Sequence, residues 1–404
     1  MAQRRAGMPY ESVAQRVAQL RRLRGMTQRQ LAERANISLS LVRRVEQGQV
    51  PATPAFIGAV ARALKSSPAE VQGQPFRGST AASDRVHAAI GPLRAEVVMS
   101  EIPDEGIAPR PIAELQARVA ATSELAHQVR LVRLGDELPS LLADLRTAAV
   151  SANDAPARKI HGMLAESWAN ARMVARVLGY PDLARSMAER YDRAAERSAD
   201  PYAVTIGTSL RAAELIQADR GRAAADLLDA SRQVIGEPAA ADPLEAWAAW
   251  GWSHLQSALA AARGAGDGVT ADSHLAEAAR AAEHLPADAD HYRMTVNRVN
   301  VAIWSVGIAV ELGDGAKAVR RASNLHSFTG VTPNRVSHHY IDLARGQVYV
   351  GDRNAALASL ETARRIAPQQ TRYHPQVRET VRMLARTERR RTGSLTAFTS
   401  WLGI

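Results

Sequence analysis

The stretch from Thr27 to Gly48, TQRQLAERANISLSLVRRVEQG, admits very few local folds. Leu31, Ala32, Ala35, Ile37, Val42 and Val45 are its small or apolar positions. The Thr27 hydroxyl can accept from amides that lack a partner in the first turn of a helix running to about Ala35. Asn36 falls where a short turn needs a residue tolerant of positive φ. Ser38 is placed to cap a second helix, on which Val42 and Val45 face inward at i, i+3 spacing. Gly48 ends that helix as a C-terminal cap glycine does. Leu39, Ser40, Arg43 and Arg44 then point outward, so the sequence predicts two short helices joined by a tight turn, the second showing cations.

Charge is concentrated in the same region. Residues 1–80 hold 13 of the 51 lysines and arginines but only four of the 41 acids, and so carry +9 of a net charge of +10. The rest of the chain is nearly neutral. That excess on a small domain is the electrostatic footprint of one that displaces counterions from phosphates.

With caps, turn and outward cations in place, the residues resemble a known family. TQxxLAxxxxIS followed by VxxVExG is similar to the Cro and phage-repressor type of helix-turn-helix protein, the xenobiotic-response-element family of bacterial regulators. The likeness extends through the preceding helix (VAQRVAQLRRLRGM) and the following one (TPAFIGAVARALKSSP), which implies a five-helix head. Asn36 stands where the family usually has Gly, and Leu39 where relatives are often polar. The resemblance implies that the helix beginning at Ser38 enters the major groove of double-stranded DNA. It gives Gln28 a phosphate contact and a bracing role. Ser40 and Arg44 are the expected base readers, Arg44 suited to guanine O6 and N7, and Arg43 a phosphate contact. The expected DNA-binding set is Thr27, Gln28, Ser38, Leu39, Ser40, Arg43 and Arg44. Reading two half-sites implies a homodimer on an inverted repeat.

At 404 residues the chain needs at least one further domain with its own core. Cysteine is absent, which excludes a disulfide framework, a thiolate zinc site and a Cys nucleophile. No signal-peptide stretch opens the chain, and its greasiest run, Val299 to Leu312, is broken by Asn300, Ser305 and Glu311 and is too short to span a bilayer. A soluble, cytoplasmic protein without a membrane partner is expected. Gly264-Ala265-Gly266-Asp267-Gly268 lacks the strand and the Gly-Lys-Ser/Thr of a phosphate loop and reads as a helix-to-helix turn. His338 and His339 are adjacent and face different ways, which does not suit one metal. The arginines at 386, 389, 390 and 391 suit a solvated helix end. No catalytic constellation, metal site or cofactor site is apparent, and the chain is not expected to be an enzyme.

Three parts follow from composition: a head over 1–76, a linker with one helix over 77–111, and a helical body over 112–404. In the linker, QGQPFRGSTAAS and SEIPDEGIAPRP read as flexible breaks that let the head move. In the body, apolar residues recur at helical spacing, and glycine turns at Gly179, Gly221, Gly266, Gly313 and Gly351 recur about every forty residues, a period of paired helices. Gly351-Asp352, Ala356, Leu360, Ala363 and Pro368 resemble a tetratricopeptide repeat, with weaker copies upstream. The expectation is all-α: a phage-repressor-like head followed by a tetratricopeptide-like α-solenoid. Regulators of this build use the array to bind a peptide, a small effector or a protein, and to dimerise. A rival reading is an interaction scaffold whose head has lost DNA binding.

A solenoid has a concave face, and polar stripes there are candidate ligand sites. On a helix expected over 291–311, Arg293, Asn297, Asn300 and Trp304 form one stripe, and asparagine amides suit the backbone of an extended peptide. The alternative is that this pair bonds within the fold. Trp250 and His254, with Trp247, form a similar stripe one repeat earlier, where tryptophans suit a core equally well. The expected ligand set is Trp250, His254, Arg293, Asn297, Asn300 and Trp304.

Overall fold

A computed structural model describes residues 11–77, 85–99, 101–103, 108–387 and 393–404, and every regular element among them is a helix. The head packs α1 (Val13–Leu23), α2 (Gln28–Ala35), α3 (Leu39–Glu46), α4 (Pro54–Ala63) and α5 (Pro68–Val71). Each begins on a hydroxyl residue in extended backbone. Ser12, Thr27, Ser38, Thr53 and Ser67 accept from the amide three positions on, at 3.3, 3.2, 3.1, 3.1 and 3.0 Å. Asn36 makes the turn between α2 and α3 at φ 54, ψ 48, and Gly48 leaves α3 at φ 68. Val17, Leu31, Val42, Val45, Ile57, Val60 and Leu64 are buried in one cluster. At about 1.5–3 kcal/mol per such side chain, this core holds helices too short to be stable alone.

The segment after the head belongs to the body. α6 (Ile90–Met99) and the residues before it place Phe76, Val86, Ile90 and Leu93 in the body's largest core. His87 bridges the Phe76 carbonyl oxygen (Nε2, 3.1 Å) and the Tyr180 hydroxyl (Nδ1, 3.1 Å). The linker helix is therefore part of the body, tied there by burial of these apolar side chains. Residues 78–84, 100 and 104–107 of the two expected breaks lie outside the described residues.

α7 (Ile112–His127) and α8 (Leu131–Ser151) open the body, and helix pairs follow. These are α9 (Asp154–Leu178) with α10 (Pro181–Ser198), α11 (Pro201–Gln217) with α12 (Gly221–Ile235), and α13 (Leu244–Gly264) with α14 (Gly268–Glu283). Then come α15 (Arg298–Glu311) with α16 (Gly315–Ser323) and α17 (Pro333–Tyr349) with α18 (Arg353–Ile366). α19 (Pro368–Tyr373), α20 (Pro375–Thr387) and α21 (Gly393–Leu402) close the chain. The first helix of a pair packs on the first of the next, α11 on α13, α13 on α15 and α15 on α17, giving a tetratricopeptide-like α-solenoid.

The glycine turns serve two purposes. Gly266, Gly313 and Gly351 take φ of 65, 78 and 86, and the aspartate after each caps the next helix at 2.8–3.0 Å. Gly221 instead lets α12 approach α13: a Cβ there would lie 2.6 Å from the Gly264 Cα.

The solenoid curls back on itself. Gln369 Oε1 accepts from the Leu131 amide at 2.5 Å, and the Tyr373 ring meets those of Phe76 and His87. The head docks on the resulting ring. Arg62 of α4 pairs with Asp219 in the α11–α12 turn, and Arg386 of α20 donates to Ser12 Oγ at 3.3 Å; within the body, the Arg378 guanidinium lies 4.3 Å from the Phe76 ring centre. Arg389, Arg390 and Arg391 lie outside the described residues. No helix among the described residues is long and apolar enough to cross a membrane.

Candidate nucleic-acid interface

α3 divides cleanly into two faces. Val42 and Val45 are in the head core, while Ser40, Arg43 and Arg44, at i, i+3 and i+4, are exposed opposite them. Ser38 and Thr27 are exposed at the starts of α3 and α2, and Leu39 is half-buried against the core. The N-terminus of α3 adds the positive end of its dipole to this face. Arg43 and Arg44 form no ion pair among the described residues, so their cationic heads are free for another partner. The docked head keeps this face clear. Its contacts with the body come from Arg62 on α4, from Ser12 and Val13 at the start of α1, and from Arg386 beside Gly48.

A carboxylate that sequence reasoning passed over holds α3 in place. Glu46, its side chain 6% exposed, accepts from Arg21 Nε at 2.7 Å and Nη2 at 2.9 Å, and from Gln28 Nε2 at 2.8 Å. Arg21 also donates to the Met26 carbonyl at 2.9 Å. One side chain thus ties α1, α2 and α3 together. The hydrogen bond to Glu46 outweighs burial and raises the Arg21 pKa. The available signal was Glu46 itself, an acid on the last turn of a helix in a domain otherwise crowded with cations.

The expected ligand stripe is not one stripe. The helix begins at Arg298, not 291: residues 291–293 form a 3-10 turn in which Tyr292 and Arg293 hold φ of 55 and 58. Asn297 is the N-cap of α15, its Oδ1 accepting from the Asn300 amide at 2.8 Å and its Nδ2 donating to the carbonyls of Ala287 (2.8 Å) and Gly330 (2.7 Å). Asn300 is fully buried, donates to the Thr295 carbonyl at 2.5 Å, and accepts from Arg335 Nε at 2.9 Å. Arg293 reaches across the ring to Glu166 of α9 at 2.8 Å. The expectation that these amides grip a ligand is therefore corrected, because their hydrogen-bonding capacity is spent within the fold. His254 is buried and shares a 2.9 Å contact with His274. Trp250 and Trp304 are half-buried, and their indole Nε1 atoms have no partner among the described residues.

A capped helix that projects serine and arginines from a basic five-helix domain is the device that reaches base edges in a major groove. The chain has a head of phage-repressor-like helix-turn-helix build and a tetratricopeptide-like helical body. Residues 12–72 match the family described as a helix-turn-helix domain. No curated protein matches the chain. Among solved structures, that of Bacillus thuringiensis PlcR in complex with the peptide PapR7 and DNA is similar, at 12% identity over 91% of this chain and 99% of that one, with a TM-score of 0.28.

Proposed function

We propose that this chain is a DNA-binding transcriptional regulator and binds an inverted repeat as a homodimer, with α3 of each head in the major groove and the helical body acting as dimerisation and effector-sensing domain. The observation that carries the reading is the exposed Ser40–Arg43–Arg44 face, held on α3 by the Glu46 clamp. Ser40 and Arg44 read bases in this proposal, and Arg43, Thr27, Ser38 and Gln28 engage the backbone. Leu39, half-buried, serves the head's packing and offers the groove an apolar edge. A body of several helix pairs exceeds what dimerisation requires, which favours a sensing role for a peptide, a small molecule or a protein. Of the expected ligand set, the indole N–H groups of Trp250 and Trp304 and the Nε2 of His254 have no hydrogen-bond partner among the described residues. A genome-wide footprint followed by binding to the recovered sites tests the reading. Discrete sites with two related half-sites and a steep salt dependence are expected. A chain with no salt-dependent duplex affinity is instead the scaffold with a vestigial head.

A further inference from the structure

The body holds a cavity of about 180 Å³ between the end of α6 and helices α8, α9 and α10. Its floor is apolar, made by Leu142, Leu164 and Trp168, all buried. Its walls are cationic. Arg146 of α8 and Arg190, Arg193 and Arg197 of α10 line it, against one acid, Glu101, among the described lining residues. The α10 arginines stand at i, i+3 and i+7 and so share a face.

Two groups there have unused capacity. His161 lines the cavity, and its Nδ1 is buried with no hydrogen-bond partner among the described residues. Arg193 is exposed at the rim and has no ion pair among the described residues. The other arginines fasten the linker. Arg146 pairs with Glu96, Arg190 Nη2 donates to the Val97 carbonyl at 2.9 Å, and Arg197 pairs with Glu101 at 2.9 Å. Burial and then Arg197 lower the His161 pKa from 6.5, and burial and then Arg193 lower that of Arg190, both marks of crowded positive charge.

We propose that this cavity binds a small monocarboxylate with an apolar, ring-sized body. The carboxylate sits between Arg193 and Arg197 at the rim, and the ring lies on Leu142, Leu164 and Trp168. The size follows from the volume, since an apolar cavity of about 150 Å³ accommodates benzene. The charge follows from the walls, since paired guanidinium forks match a carboxylate. The incoming carboxylate competes with Glu101 for Arg197, so binding loosens the end of α6. That helix packs in the body and follows the head in the chain, and any effect of its loosening on DNA binding is the one step that rests on the function proposed above.

Titration calorimetry of the full chain with benzoate, and with benzamide as the uncharged body of the same shape, tests the site. Benzoate should bind at one site per chain and at least about tenfold more tightly than benzamide. Arg193→Gln with Arg197→Gln should weaken benzoate by about tenfold or more, with melting temperature and circular dichroism retained. Glu101→Gln should strengthen it, because the competing carboxylate is gone. Amide exchange over residues 90–99 should rise on saturation. No heat at millimolar benzoate, equal binding of benzamide, an unchanged double variant, weaker binding by Glu101→Gln, or unaltered exchange would each overturn the proposal. None of these readouts involves DNA, so their failure leaves the DNA-binding reading standing.

Discussion

Arg43 and Arg44 are neighbours on one exposed helix, yet chemistry assigns them different work. A guanidinium bidentate to guanine discriminates bases, whereas one on phosphate does not. Arg44→Ala should therefore cost about 1–3 kcal/mol on a recovered site and much less on random duplex. Arg43→Ala should weaken both alike and shallow the salt slope by roughly 0.9. Fluorescence anisotropy across a salt series separates the two, and equal losses by Arg44→Ala on both duplexes would refute its assignment. Glu46 is a prediction of another kind. Removing it by Glu46→Ala strands the Arg21 guanidinium, whose side chain is only 11% exposed. A loss of about 3–5 kcal/mol from the head is expected, as for breaking a buried pair. Urea unfolding followed by a head-specific probe measures it; an unchanged midpoint means the clamp holds nothing.

At the scale of elements, the head was legible because each of its signals is local. A hydroxyl three residues before an amide, an Asn at a left-handed corner and a glycine after the last turn act within one or two turns of chain. The Gly-Asp turns of the body are local in the same way. α15 was misread for the opposite reason. Nothing within a few residues shows that Asn297 meets the carbonyls of Ala287 and Gly330, the latter 33 positions away. Periodicity carried the helix back through residues that form a strained 3-10 turn. The corrected role has its own test. Asn297→Ala removes a helix cap, worth about 1 kcal/mol, and strands two carbonyl groups at about 1–3 kcal/mol each. A clear drop in the urea midpoint is expected, where a ligand-gripping side chain would leave stability unchanged.

For the whole molecule, packing of the helical body buries titratable groups. Burial, and then the nearby guanidinium of Arg232, Arg335 or Arg345, holds His254 at about 3, His339 at about 4 and His374 at about 3, against an ordinary value of 6.5. The unfolded chain therefore binds more protons than the folded one below 6.5, and stability falls as pH drops through that window. Glu311 behaves differently. Burial would raise its pKa, but Arg263 and Arg345 win and hold it at about 2 against 4.5. Its contribution is complete above 4.5 and is lost only as pH falls towards 2. Burial raises the Asp192 pKa to about 6 against 3.8, which opposes this loss below 6, but it is one group against three histidines. The melting temperature should thus begin to fall below 6.5, and one level down to 4.5 would contradict the buried-histidine account. Assembly is the other prediction at this scale. One head covers few base pairs, and two-fold readers span half-sites about 34–36 Å apart. Light scattering should give a dimer on the operator, and a monomer both free and bound would exclude it.

The sequence by itself determined the all-α class, the capped helices of the head, the outward Ser40, Arg43 and Arg44, the concentration of charge on residues 1–80, and the repeating Gly-Asp turns. Those features depend on neighbours three or four residues apart, or on composition alone. Only the tertiary structure decided that the linker helix belongs to the body, that Asn297 and Asn300 are spent within the fold, and that four arginines converge over Trp168. Those outcomes depend on partners such as Asn297 and Gly330, 33 positions apart, Asn300 and Arg335, 35 apart, or Arg190 and Val97, 93 apart. Such partners meet only when helices distant in the chain pack side by side, and no local period records which of them will meet.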